Sequence, residues 1–297
     1  MKRLLALGLG CSLSLSAAWA APAATPSPTV KSVTTAAPVS LKSEWQNQII
    51  VSFNLNQASF NNWAQGGTDL VSGGIALNAR FVQDNSNINW LNTLKFQYGL
   101  TYLANQGTQI SADSIDLESL YAWKTWAQVN PYVSVSVQSQ FGPGYDYSVT
   151  PSQEISNFMD PGYFTESAGL KYTPTAAFYT RVGLGVKETF ANQFQSTYSV
   201  NPDTGNPESV LTQAGLDWVS ELNQKLFDNT NLDSKLDAFW PGESLNLTVL
   251  EWDNLLRCSL NKIMSLNVEG DLRYDSKVYN GVQVKETLSL SFNDSLL

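Results

Sequence analysis

Four pairs of carboxylates have a spacing that acid–base chemistry could use on a β-strand: Asp116 and Glu118, Asp217 and Glu221, Glu251 and Asp253, Glu269 and Asp271. Residues two or four apart share one face of a strand, and two facing carboxyls are the working parts of glycoside hydrolysis. Nothing else completes such a site. The chain has no histidine, the side chain whose ordinary pKa lies near working pH and which activates a serine nucleophile. The carboxylate pairs could act without one, but their shared face lies in the lumen, where they read more simply as a charged wall, and no enzyme activity and no cofactor are expected. Metal chemistry is also poorly provided for. Asn201-Pro202-Asp203-Thr204-Gly205-Asn206 is rich in oxygen ligands, but it reads more simply as a polar turn. There is no Walker loop, dinucleotide fingerprint or basic stripe.

The elements that carry these residues are legible from alternation. From Ile88 to Tyr102, apolar or aromatic residues recur at nearly every second place: Ile88, Trp90, Leu94, Phe96, Tyr98, Leu100, Tyr102. Asn89, Thr93, Lys95, Gln97 and Thr101 lie between them. A period of two means a strand with one oily face and one wet face. Trp90 to Tyr102 spans roughly 40 Å of strand, or about 30 Å of height at a tilt of about 40°. That matches a bilayer, with an aromatic at each end. Only 14% of residues are charged and 11% are aromatic, yet mean hydropathy is −0.17. No run of 18 apolar residues follows the N-terminus, which excludes helical spans. A barrel hides in such averages because its strands alternate.

Residues 1–20 read as a cleaved secretory signal, with Lys2 and Arg3, an apolar stretch from Leu4 to Ala17, and Ala18-Trp19-Ala20 before the cut. A lipoprotein signal ending at Cys11 is the alternative. Cleavage removes two cations and no acid, which takes the net charge from −9 to −11 and leaves no bulk attraction for nucleic acid. It also leaves Cys258 alone, so no intrachain disulfide is expected. Residues 21–43, rich in Ala, Pro, Ser and Thr, read as a disordered periplasmic tail, and 44–297 as the folded part. Twelve strands are predicted: 45–56, 71–83, 88–103, 113–126, 130–141, 162–173, 176–191, 209–223, 230–240, 244–259, 262–275 and 281–292. Ile49-Ile50-Val51 blurs the first, and the pattern slips around Glu251-Trp252-Asp253, which implies a bulge or a shortened strand and admits ten strands as an alternative. Every second connection is short, and the others (57–70, 104–112, 142–161, 192–208) are predicted to be long outer loops.

Two phrases lie in those loops. One runs from Asn54 to Gly67 and contains Asn61-Asn62-Trp63-Ala64-Gln65-Gly66-Gly67. The other is Phe141-Gly142-Pro143-Gly144-Tyr145-Asp146-Tyr147, followed by Ile155 to Tyr163. With Leu94 to Tyr98, they resemble the domain of unknown function 3078 family of bacterial outer-membrane proteins. The resemblance implies an outer-membrane barrel and no particular activity. Trp63, Gly66, Gly67, Pro143, Gly144, Tyr145 and Tyr147 are the candidate mouth residues, either packed on the rim or turned toward a ligand.

The expected fold is therefore all-β: a single transmembrane antiparallel β-barrel in the cell outer membrane. Parity assigns Arg80, Lys95, Lys124, Lys171, Arg181, Lys187, Lys235, Arg273 and Lys285 to the lumen. It also assigns Asp116, Glu118, Asp217, Glu221, Asp233, Asp237, Glu269 and Asp271. The signs nearly balance, which suits either ion-paired filling or a weakly selective channel. Glu166, Glu188 and Glu286 fall on the outward face, which implies headgroup depth or a local bulge. Two roles follow: a passive channel or small-solute transporter, or a filled barrel that displays loops. Expected partners are outer-membrane lipid, the barrel-assembly machinery and a small solute. Oligomeric state is not legible in the sequence.

Overall fold

The computed structural model describes residues 45–58, 69–242, 247–276 and 278–295. The proposed signal and tail, and the loop carrying Trp63, Gly66 and Gly67, lie outside these. Twelve strands close into one antiparallel barrel. In chain order they are β1 (Trp45–Ala58), β2 (Leu70–Asp84), β3 (Ile88–Leu103), β4 (Gly107–Trp123) and β5 (Val129–Ser139). After a small loop hairpin, β6 (Gly144–Asp146) and β7 (Gln153–Ser156), come β8 (Gly162–Thr175), β9 (Phe178–Phe190), β10 (Val210–Phe227), β11 (Thr230–Pro241), β12 (Val249–Ser259), β13 (Met264–Asp275) and β14 (Tyr279–Ser295). One short helical turn, α1 (Gln195–Tyr198), sits between β9 and β10. Each barrel strand pairs with its neighbours in sequence, with β5 beside β8, and β14 returns to β1 through Ile50–Asn54 against Ser291–Ser295.

Closure leaves one face of each strand outside, and that face is apolar. Leu55, Leu184 and Leu288 are 71%, 74% and 70% exposed, with Phe53, Val182, Leu216, Val268 and Phe292 beside them. A belt of this kind has no counterpart on a water-soluble monomer and needs hydrocarbon around it. Tryptophans on this outer face find hydroxyl partners. The Trp90 indole N–H donates to Ser119 Oγ (3.0 Å), and Ser119 Oγ donates to Asn92 (2.8 Å). Trp218 donates to Thr180 Oγ1 (2.9 Å), and Trp252 to Ser234 Oγ (3.0 Å). Each ring keeps its N–H on an outward-facing hydroxyl, so no indole donor on the apolar face is left unpaired in these three places.

Several expectations are corrected by the pairing. β4 begins at Gly107, not 113, because a bulge at Ser111 lets Ile110 pair with Leu100 after Ala112 has paired with Gly99. The extra residue flips parity and hides the strand from a period-two reading. The connection after β3 is consequently a tight turn of Ala104-Asn105-Gln106, so the long loop expected at 104–112 does not exist. β12 is the shortened strand, running without a register shift from Val249, with Trp252 outward between inward Glu251 and Asp253. No bulge lies at Glu166 or Glu188 either, since β8 and β9 pair in unbroken register from Gly162 to Tyr172. Glu166 stands outward four residues from the loop end of β8.

Two glycines shape the wall. A Cβ on Gly183 would collide with the Ala168 carbonyl and meet the Tyr132 hydroxyl at 2.6 Å, and one on Gly215 would collide with the Trp240 carbonyl. Neighbouring strands approach here as no other residue allows, and the inward Tyr132 and Phe239 rings cover the bare backbone, as aromatic residues do over sheet glycines. Outside the same stretch the wall is concave, with a hollow of about 930 Å³ lined by Val133, Glu166, Leu184, Leu216 and Trp240 among others.

Candidate functional site

The inward faces of β4, β5, β8, β9, β10 and β11 carry a layer of buried charge. Arg181 on β9 is at its centre, 4% exposed along its side chain. Its Nη2 lies 2.5 Å from Glu118 Oε1 on β4, and its Nη1 lies 3.7 Å from Asp217 Oδ2 on β10 and donates to Ser134. Ser167 Oγ donates to Asp217 Oδ2 at 2.6 Å, and the Tyr132 ring lies under the guanidinium at 5.3 Å. Glu118 takes a second cation, Lys235 Nζ from β11, at 3.0 Å. A charge this deep is tolerable only when paired and hydrogen-bonded on several sides, and here it is.

β4 and β11 lie five strand positions apart around a ring of twelve, so the Lys235–Glu118 pair crosses the lumen. Arg80 on β2 and Glu221 on β10 face each other from opposite walls at 3.5 Å. Glu221 also accepts from Tyr179 (2.7 Å), whose ring lies under Lys171 (4.3 Å), and Lys171 donates to Asn89 on β3 (3.1 Å). Toward the short-turn end an apolar cluster of Leu91, Leu120, Ala122, Tyr132 and Tyr179 fills the same side. Between Arg181, Lys187, Asp237 and Glu251 remains a hollow of about 30 Å³, room for a water molecule or two.

The opposite arc, from β12 through β13, β14, β1 and β2 to β3, is different. Arg273, Lys285 and Arg80 have side chains 57%, 50% and 45% exposed. Their partners Glu251, Asp271 and Glu221 are 23%, 14% and 24% exposed. Lys95 is exposed as well. The lumen is thus packed on one side and polar and open on the other.

In the strand register most of the residues given to the lumen by parity, the Glu251/Asp253 pair included, face inward, and Arg257 joins them. Lys187 lies over the Tyr163 ring (4.8 Å), and Asp116 accepts from Gln138 (3.3 Å). Glu269 pairs with Thr287 on the open arc. Lys124 does not belong with them. It follows the end of β4 at a short turn, where it pairs with Asp84 at 2.6 Å. The carboxylate pairs Asp116/Glu118 and Asp217/Glu221 share their faces as spacing requires, but Glu118, Asp217 and Glu221 are engaged by cations or donors of the wall.

The loop candidates pack onto the rim. β4 runs on past the end of β5, leaving Gly107–Ser114 without a partner on that edge. Tyr147 covers it by accepting the Ile110 N–H (3.0 Å), and Asp113 accepts the N–H groups of Phe141 (2.7 Å) and Gly142 (2.8 Å). Pro143 and Gly144 lead into the β6–β7 hairpin, where a Cβ on Gly144 would collide with Ser156 Oγ. Tyr145 and Tyr147 rings lie 6.0 Å apart. Asp160, buried, accepts from the N–H groups of Asn192 (2.9 Å), Gln193 (2.7 Å) and Phe194 (3.3 Å), which fastens this loop to the next. Asn201 Oδ1 accepts from Asp203 N and Thr204 N, and its Nδ2 donates to Glu208, so the oxygen-rich stretch forms an Asx turn.

Residues 55–145 match the profile of a family described as protein of unknown function (DUF3078). The match runs from Leu55 in β1 to Tyr145, and so takes in nearly all of the first loop phrase, Leu94 to Tyr98 and the Phe141–Tyr145 part of the second, but not Ile155 to Tyr163. No curated protein matches the chain. Among solved structures, the translocator domain of autotransporter NalP from Neisseria meningitidis is 13% identical, with 83% of this chain and 87% of that one covered and a TM-score of 0.38. An outer membrane channel from Pseudomonas putida F1 is 12% identical, covering 84% and 95%, with a TM-score of 0.39. The NanC porin is 9% identical, covering 82% and 98%, with a TM-score of 0.39.

Proposed function

We propose that the chain is an outer-membrane protein that lets small solutes pass along one side of a partly filled barrel. The short turns face the periplasm and the 140–161 and 191–209 loops face outward. The observation that carries this reading is the division of the lumen. A barrel serving only as a scaffold has no need of a wet interior arc, and side chains that filled it as rings and aliphatic groups fill the other half would bury more apolar surface. The reading is non-enzymatic, supported by the lack of any imidazole in the chain and by the engagement of Glu118 and Asp217 with Arg181 in the wall. Its expected contacts are outer-membrane lipid, the machinery that inserts barrels, and the solute.

A second reading has its own support. Arg80–Glu221 and Lys235–Glu118 cross the lumen, and a barrel so laced could be closed and act only through its loops. Planar-bilayer recording separates the two. The channel reading expects discrete conductance steps from the purified, folded protein. The closed reading expects silence from that protein and steps only from a variant in which Arg80→Ala and Glu221→Ala remove the crossing pair.

A further inference from the structure

By number, acids at least match bases inside the barrel, and the whole chain is acidic. By exposure the balance is one-sided. Arg80, Lys95, Arg273 and Lys285 are lumen charges that stand open to water among the described residues, and the inward strand carboxylate of like exposure, Asp84 at the short-turn end of β2, is paired with Lys124 at 2.6 Å. We infer that the open side of the lumen prefers small anions. This rests on the channel reading.

The cause is side-chain length and placement. Asp and Glu are short and lie near the wall, where Glu118 and Asp217 are held by Arg181 and Lys235 in the packed half. Asp271 lies behind Lys285 and Glu251 behind Arg273. The longer cations extend past their partners and bring their ends into the water-filled part. An ion moving along that side meets the Lys285 ammonium and the Arg273 guanidinium, which reach farther into water than the Asp271 and Glu251 carboxylates they pair with. In a narrow bore with low-dielectric walls, the nearest charges weigh most. The four cations stand on β2, β3, β13 and β14, and β1 between them presents inward Gln48, Ser52 and Asn54 without any acid. Acidic residues on the outer loops, such as Asp146 and Asp203, lie outside the bore, where salt screens them within about 8 Å at physiological strength.

The test is the reversal potential of the reconstituted protein in a potassium chloride gradient. Chloride should permeate about threefold more readily than potassium, and the preference should fade near 1 M salt, where screening reaches about 3 Å. The fourfold variant Arg80→Gln, Lys95→Gln, Arg273→Gln and Lys285→Gln should still migrate as a folded barrel on an unheated gel while losing or inverting the preference. Lys225→Gln, at the short-turn end of β10 where it pairs with Asp228, should leave the sign of the potential unchanged. Conductance steps with a potassium preference in the natural protein, or no change in the fourfold variant, would overturn the inference and leave the channel reading standing. Complete silence from a folded protein would overturn the channel reading itself.

Discussion

Arg181 shows how much one side chain can hold. It is the shared partner of Glu118 and Asp217, and its removal leaves Asp217 in a dry layer with the Ser167 hydroxyl and no cation, and Glu118 with Lys235 alone. Breaking a buried pair from one side typically costs about 3–5 kcal/mol. Arg181→Met should therefore lower the urea midpoint of the vesicle-embedded protein, read by tryptophan fluorescence, while Arg273→Met, whose guanidinium is mostly in water, should leave it nearly unchanged. Glycine positions divide in the same way. Gly215→Val places atoms in the Trp240 carbonyl and should prevent closure, whereas Gly270→Ala enters open space and should fold. The sequence marked Arg181, Glu118 and Asp217 as inward charges because parity is a local property. It could not say that they meet, since they come from β9, β4 and β10 and their encounter depends on the curvature of the wall. The tryptophan-to-hydroxyl bonds were also out of reach: Ser119, Thr180 and Ser234 look like breaks in an oily face until the indole beside each is placed.

At the level of elements, the strands were legible wherever alternation was unbroken, and β3 keeps the bounds that its pattern implies. Alternation failed where a bulge added a residue in β4. It also missed the extension of β10 to Phe227, where Asn223-Gln224-Lys225 carries no oily face because that end of the hairpin stands clear of the belt. The loop phrases were recognisable, but their role was not. Tyr147 and Asp113 tie a loop to a strand edge that would otherwise be bare, which is a structural duty an exposed edge imposes. Asp160 does the same between two loops. Asp160→Ala should free the Asn192–Phe194 backbone and speed proteolysis of the 191–209 loop in intact vesicles, with the barrel itself left resistant.

For the whole molecule the decisive surface is the outside. Leu184→Arg would set a charge among the lipid-facing side chains and should cost about 2–4 kcal/mol near the bilayer midplane, measured as the folding free energy into vesicles. Lys95→Gln, inside the lumen, should cost far less. The same two-sidedness governs how the barrel is completed. The packed half joins strands that follow one another in the chain, so it can set while the polypeptide is still an open sheet. The wet half contains the junction of the first strand with the last, made by the five register pairs Ile50–Asn54 and Ser291–Ser295. The aperture is thus born in the final act of assembly, and its width is decided by how the two ends of the polypeptide clasp. Altering that clasp, by lengthening it or sliding it by two residues, should retune the bore and leave the ionic keystone on the far wall undisturbed.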